Sequence, residues 1–375
     1  MSHRILFISS WFPNKLEPTN GNFVQRHAEA VKLYNEVEIL HAIGDFNQKE
    51  KYLVDEKMVN GIKTVIVYYK NTKNPILNFY RRMKAYNLGY TRVKRPQLVH
   101  ANVLHNNMLF AVHLKSKFKI PFVVTEHWTA LRSINHEITP KSVKKTAWWI
   151  GSHASKILPV SADLKKGLEQ LGIKTAMEVV PNVVNTRLFQ PRYTKNEIFT
   201  FVHVSNLIPR KNADKILNVA IKLLKEGYKF KLQLGGDGDI SNLNKIAEES
   251  GFGDAIEIFG MQTLEQVSSR MKASDAFILF SDDENQPCVI AEAFSSGLKV
   301  ISTSVGGIAE FFPEDAGILL NSRSEEELEN AMIQLLKEGE VNNGMSLSQY
   351  ADATFSKETI GKKYTEIYDG ILNKA

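Results

Sequence analysis

The sequence predicts an α/β protein made of two doubly wound units, each a largely parallel sheet with helices on both faces. Three observations predict it. The chain has 375 residues, more than one hydrophobic core usually serves. Short apolar runs rich in Val, Ile and Phe alternate with stretches of helical spacing along its whole length, the pattern of strands buried on both faces. A polar stretch bearing Pro181 and Pro191 interrupts that pattern near the middle.

In chain order, the first half offers the strands "RILFIS", "EVEILHA", "KTVIVYY", "QLVHA", "PFVVTE" and "SKILPVS". The second half offers "IFTFVHVS", "KFKLQLGG", "AIEIFG", "DAFILF" and "LKVISTS". Between them, Phe23, His27, Ala30, Val31 and Tyr34 form one helical stripe, and Ile216, Val219, Ala220, Leu223 and Leu224 form another. The break "VVPNVVNTRLFQPRYTKNEIFT" places the boundary after Gln190. The expected units are therefore residues 1–190 and 191–355, followed by a last helix over 356–375. That helix has Ser356 as a candidate cap and Ile360, Tyr364, Ile367, Tyr368 and Ile371 on one side.

Composition narrows the class. Hydrophobic residues make up 43% and charged residues 23%, as in a soluble globular chain, and no apolar run approaches the ~18 residues that span a bilayer. The start, "MSHRILFISSWFPNK", reads as a first strand rather than a leader peptide. The single cysteine, Cys288, fits a reducing compartment, so the cytoplasm is expected. Charge is unevenly shared: residues 1–190 carry 28 Lys and Arg against 13 Asp and Glu, a net of +15, whereas residues 191–375 carry 19 against 28, a net of −9. A basic half suits an anionic partner. "KSVKKTAWWIGSHASK" and "KNTKNPILNFYRRMKAYNLGYTRVKR" mix lysines with aromatics, which fits either a surface for anionic membrane or helices with core aromatics and solvated lysines.

The chemistry-bearing residues collect after strands of the second half. In α/β sheets, ligands bind outside the carboxyl ends of strands, often at helix starts whose free N–H groups favour an anion. Glu284 follows "DAFILF", Pro287 suits the first turn of the next helix, and Glu292 lies within that helix. After "LKVIST" come Gly306 and Gly307, a paired glycine turn where backbone can approach a phosphate. Arg210 and Lys211 follow "IFTFVHVS" beside another helix start, where two cations can neutralise a diphosphate.

"HVSNLIPRKN", "ILFSDDENQPCVIAEAFSSGLKVISTSVGGIAE", "VVPNVVNTRLF" and "VVTEHW" together resemble the retaining glycosyltransferases of family 4, and "SSWFPNKLEPTNGNFVQRHA" resembles the start of that family's chains. The resemblance covers nearly the whole chain and implies the GT-B fold of two facing Rossmann-like domains. It implies an acceptor-binding first domain, a nucleotide-sugar-binding second domain, and a final helix that returns to the first. It also implies that Glu284 accepts from donor-sugar hydroxyls and Glu292 from ribose hydroxyls. By the same likeness Gln286, Pro287, Cys288 and Val289 offer backbone to sugar and phosphate, Arg210 and Lys211 clamp the diphosphate, and Gly306 and Gly307 lie beside it. His127 would reach the donor sugar or acceptor, Gly21 would lie beside the diphosphate, and the nucleobase would rest near Gly260 and Met261. Asn206 occupies a position where many members have Arg, Asn285 and Gln286 stand where a Gly-Phe-Gly is common, and Asn182 to Asn185 replace Asn-Gly-Val-Asp.

The expected reaction is transfer of a sugar from a UDP- or GDP-sugar to a hydroxyl of a glycan or lipid-linked acceptor, with retention, in surface polysaccharide or lipid-linked glycan synthesis. Double displacement needs a carboxylate nucleophile about 5 Å from an acid partner, and the motif offers none, so a same-face route follows from the resemblance. No cofactor and no metal are expected. "DGD" at Asp237 to Asp239 sits in a glycine-bracketed turn, the histidines lack HExxH spacing, and there is no CxxC. The enzyme is expected in the cytoplasm, with peripheral contact at the inner membrane face and no nucleic-acid partner. Two other readings stand beside it: an epimerase of the same fold, and a non-enzymatic module for anionic surfaces.

Overall fold

The computed structural model describes residues 2–192, 196–339 and 344–373. They form two compact units. One holds the chain up to Val183 together with everything from Lys357 onward, and the other holds Val184–Ser356.

The first unit runs β1 (Arg4–Ser9), α1 (Asn22–Lys32), β2 (Glu36–Asp45), β3 (Tyr52–Val59), β4 (Ile62–Lys70), α2 (Pro75–Tyr90), β5 (Leu98–Asn102), α3 (Leu109–Phe118), β6 (Phe122–Glu126), α4 (Lys141–His153), β7 (Lys156–Pro159) and α5 (Ala162–Gln170). Its sheet order is β3-β4-β2-β1-β5-β6-β7, parallel except for β3 against β4. The second unit runs β8 (Thr200–Ser205), α6 (Ala213–Lys225), β9 (Lys231–Gly236), α7 (Ser241–Ser250), β10 (Ile256–Phe259), α8 (Leu264–Lys272), β11 (Ala276–Leu279), α9 (Cys288–Ser295), β12 (Lys299–Thr303), β13 (Gly317–Leu320), α10 (Glu325–Glu338) and α11 (Gly344–Phe355). Its six strands are all parallel, in the order β10-β9-β8-β11-β12-β13. The last helix, α12 (Lys357–Leu372), belongs to the first unit.

Every apolar run singled out from the sequence is a strand. Two further strands lack that signature. β3, "YLVDEKMV", is an exposed edge strand, and charge on an edge discourages stray pairing while hiding the strand from an apolar count. β13 has four residues and one fully buried position. Of the expected α1 stripe, His27, Ala30 and Val31 are buried, joined by Val24 and Ala28, whereas Phe23 is half-buried and Tyr34 lies past the helix end and is exposed. The change of unit falls at Val183 and Val184 rather than after Gln190. The Val184 N–H donates to the Phe355 carbonyl, and Phe189 is fully buried in the core of the second unit.

α12 closes the first unit against α1. Ile360, Tyr364 and Tyr368 are buried with Phe7, Val24 and Val31. Lys357 pairs with Glu29, His3 with Asp369 at 2.6 Å, and Asn35 donates to Thr365 at 2.8 Å. The helices touch at Gly361, where an added Cβ would stand 2.2 Å from the Ala30 carbonyl oxygen. Below the contact, His100 bonds both Tyr368 (2.5 Å) and Thr125 (2.6 Å), so buried polar atoms meet partners there.

Glu126, at the end of β6, is fully buried. Its carboxylate accepts from the backbone N–H groups of Leu104 (2.5 Å), His127 (2.8 Å) and Trp128 (2.6 Å), and so joins the loops that follow β5 and β6. Burial pushes this carboxyl up to about 7 although the three N–H donors pull it down.

Two expectations follow. Gly361→Ala forces α12 off α1 and should cost about 1–3 kcal/mol in denaturant unfolding; an unchanged midpoint would contradict the close contact. Glu126 binds its proton more tightly folded than unfolded, so its contribution to stability is complete below about 4.5 and is lost as pH rises to about 7. The stability of wild type relative to Glu126→Gln should therefore fall by up to roughly 3 kcal/mol between about pH 5 and pH 7.5. Parallel pH curves would contradict it.

Candidate active site

In the second unit, β8 has β9 on one side and β11 on the other, so the chain leaves the first strand in both directions. This is the crevice where doubly wound sheets bind ligands. The loop after β8 carries Asn206, Arg210 and Lys211, and the loop after β11 carries Asp282, Asp283 and Glu284.

Four bonds stitch these loops together. Asn212, in left-handed backbone (φ 50°), donates through Nδ2 to the Phe280 carbonyl and to Asp282 Oδ1, both at 3.0 Å. The Asp282 N–H returns a bond to the Arg210 carbonyl at 2.8 Å. Lys211 Nζ pairs with Glu284 Oε1, and both side chains are buried. Two buried charges each need a partner, and here each is the other's. The expected separate roles of Lys211 and Glu284 thus begin from direct contact. Arg210 is half-buried, 3.7 Å from Asp283, and its buried Nε has no hydrogen-bond partner.

The loop after β12 joins them. Thr303 Oγ1 donates to the Ser281 carbonyl at 2.7 Å, and the Gly307 N–H donates to the Asn285 carbonyl at 2.9 Å. Gly306 is in left-handed backbone (φ 61°), which glycine adopts without strain. α9 opens at Cys288 with Pro287 as its cap, one residue outside the expected first turn; a proline there has no N–H to leave unpaired. Asn285, Gln286 and Glu292 are buried, whereas Pro287, Cys288 and Val289 are partly open.

Gly260 and Met261 follow β10, at the same sheet end but two strands from β8, about 10 Å at ordinary strand spacing. Met261 is exposed, and so is Asn206. His203 is buried below the site with both ring nitrogens engaged, and burial lowers it to about 4, so it stays neutral. Asp239, of "DGD", accepts from the backbone and hydroxyl of Ser241. Among the described residues, no group of three His, Cys, Asp or Glu is placed to hold a metal ion.

In the first unit, β1 is likewise flanked by β2 and β5. Gly21 caps α1 in left-handed backbone (φ 75°), and a Cβ there would meet the Trp11 carbonyl at 2.3 Å, so only glycine fits. His127 follows β6, its ring 4.3 Å from Phe23 and 5.3 Å from His27, and burial lowers it well below the usual histidine range. It is a neutral hydrogen-bonding group at pH 7. The motifs did not single out Asn212 or Glu126. Asn212 directly follows Lys211 and precedes a helix, a signal for a capping turn. Glu126 shows only as a lone acid ending an apolar strand.

Residues 27–188 match the family described as Glycosyltransferase Family 4, and residues 185–352 match Glycosyl transferases group 1. A phosphatidylinositol N-acetylglucosaminyltransferase subunit of Arabidopsis thaliana is 27% identical over 224 residues, which cover 59% of this chain and 48% of that protein. The match thus spans about half the length of that relative. Among solved structures, sucrose-phosphate synthase from Thermosynechococcus elongatus superposes with a TM-score of 0.78 at 16% identity over 100% of both chains. Anabaena HepE, solved in complex with UDP, gives 0.73 at 16% identity over 98% of this chain and 100% of that one. These structural likenesses show the fold, which is GT-B. Matched in both halves, from residue 27 to residue 352, the chain belongs to the family 4 glycosyltransferases.

Proposed function

We propose that the chain is a retaining, metal-independent hexosyltransferase that moves a sugar from a UDP- or GDP-linked donor to a glycan or lipid-linked acceptor. The observation that carries this reading is the stitched crevice between β8 and β11, where Arg210, Lys211 and Glu284 meet beside the start of α9, with Glu292 buried inside that helix. The solved complex of HepE with UDP supports a uridine donor.

In this reading the second unit holds the donor and the first the acceptor. The Lys211–Glu284 pair holds both groups oriented before substrate arrives. The diphosphate then takes the place of Glu284 as partner to Lys211, and donor-sugar hydroxyls take the place of Lys211 as donors to Glu284. Ribose hydroxyls bond Glu292, the α9 N–H groups and the turn at Gly306 and Gly307 face phosphate, and the base rests at Gly260 and Met261. Gly21 lies beside the diphosphate, Asn206 borders it, and backbone of Gln286, Pro287, Cys288 and Val289 lines the sugar.

As the glycosidic bond breaks, charge collects on the departing diphosphate. Arg210 and Lys211 stabilise it, the role a divalent ion has in other transferases. The acceptor hydroxyl attacks the anomeric carbon on the face the leaving group vacates, and a leaving-group oxygen takes its proton. Neutral His127 bonds donor sugar or acceptor without adding charge.

The relative named for phosphatidylinositol supports a lipid acceptor, and so does the first unit's surface. Ile134 and Ile138 are 76% and 81% exposed just before α4, whose outer face shows Lys141, Lys145, Trp148 and Trp149. Apolar and aromatic side chains beside lysines suit an anionic bilayer surface, at the inner membrane face of the cell.

UDP or GDP should raise the melting temperature through a stabilisation of about 2.7 kcal/mol at a hundredfold excess over Kd. Absence of a shift with either at millimolar concentration defeats the donor reading. Glu292→Ala should weaken nucleotide binding at least ten-fold, whereas Glu284→Ala should lower kcat by roughly 100-fold with smaller change in nucleotide affinity; equal small effects would overturn these roles. Vesicles containing phosphatidylglycerol should sediment the protein and phosphatidylcholine vesicles should not, with binding lost in Ile134→Ser/Ile138→Ser. Sedimentation indifferent to lipid charge would remove the membrane contact.

A further inference from the structure

Trp11, His105 and Trp128 stand on the loops that leave β1, β5 and β6, which are adjacent in the sheet. The two indoles are perpendicular, with centroids 6.2 Å apart and an interplanar angle of 90°. Phe23 meets Trp11 edge-on at 6.2 Å, and His105 meets Trp128 at 5.8 Å. All four rings are partly buried, so each keeps some surface open.

Their backbones are fixed from below by fully buried side chains. Ser9 Oγ accepts from the Trp11 N–H at 3.1 Å and donates to its carbonyl at 2.5 Å, and Glu126 accepts from the Trp128 N–H. Such a corner is ordered before any ligand arrives, which lowers the cost of binding.

The chemistry around it is largely uncharged. Residues 9–14, 102–108 and 127–131 contain no Lys, Arg, Asp or Glu. His105 is lowered by burial and by nearby Arg82, and His127 by burial and neighbouring histidines, so both are neutral. The Arg82 guanidinium is itself engaged by Tyr69, Asn106 and Asn107. Ser10 Oγ and His105 Nδ1 are buried with no hydrogen-bond partner, and a buried polar atom in that state seeks one. Aromatic faces carry partial negative charge, and one face of a pyranose ring presents polarised C–H groups while its rim presents hydroxyls. A neutral ring suits this corner better than a phosphate.

We infer that Trp11 and Trp128 form a subsite for a neutral pyranose ring of the acceptor, stacked on indole and hydrogen-bonded at its rim by Ser10 and His105. The assignment to the acceptor rests on the donor reading of the second unit; the subsite itself is defined by its sugar chemistry. The test is saturation-transfer NMR of methyl β-glucopyranoside and methyl β-galactopyranoside with the full chain and UDP present. Ring C–H protons should receive saturation, Trp128→Leu and Trp11→Leu should weaken the signal at least ten-fold, and Trp128→Phe, which keeps an aromatic face, should restore most of it. No saturation from either glycoside, or equal signals in the Leu variants, overturns the subsite. Loss of the UDP melting shift in Trp128→Leu, with circular dichroism unchanged, also overturns it by assigning the ring to the nucleobase. In wild type, the UDP shift judges the donor reading separately.

Discussion

A lysine and a glutamate buried against each other, Lys211 and Glu284, tie the two loops on which the second unit's crevice depends. Neither charge tolerates burial alone, and breaking such a pair costs several kcal/mol because one ion is stranded. Asn212 adds the geometry. Its left-handed backbone turns the chain into α6, and its amide reaches the opposite loop twice. The loops cannot drift apart without exposing several polar groups at once. On the proposed donor reading, a crevice that receives a diphosphate and a sugar together is held at a fixed width by charges that substrate replaces.

The first unit meets the same need by other means. There the carboxylate of Glu126 gathers three backbone N–H groups from neighbouring loops. Burial then raises its proton affinity. One unit secures its strand-end loops with an ion pair, the other with a carboxylate nested in backbone.

Much of this was legible in the sequence because strands buried on both faces leave continuous apolar runs. β3 and β13 were not: one carries charge along an exposed edge and the other is too short to register. Of the α1 stripe, His27, Ala30 and Val31 were legible; Val24 and Ala28 were not, because the core that buries them includes α12, a partner more than three hundred residues away. That Arg210, Lys211 and Glu284 would lie in loops at strand ends, with Glu292 in the helix that follows, was legible from the apolar runs. That Lys211 would face Glu284 was not, since 73 residues separate them and only sheet order makes them neighbours. The perpendicular indoles were invisible for a similar reason: Trp11 and Trp128 lie far apart in sequence, and only sheet order brings their loops together.

The return of α12 to the first unit has a consequence during synthesis. The second unit is contiguous, so its core can close once residue 355 has left the ribosome. The first unit, though it emerges earlier, lacks Ile360, Tyr364 and Tyr368 until the second unit has been made. Its α1 face, with Val24 and Val31, waits uncovered through translation of the entire second unit. A chain of this design completes its first-made half last, and during that interval the exposed face is where aggregation or a chaperone finds it.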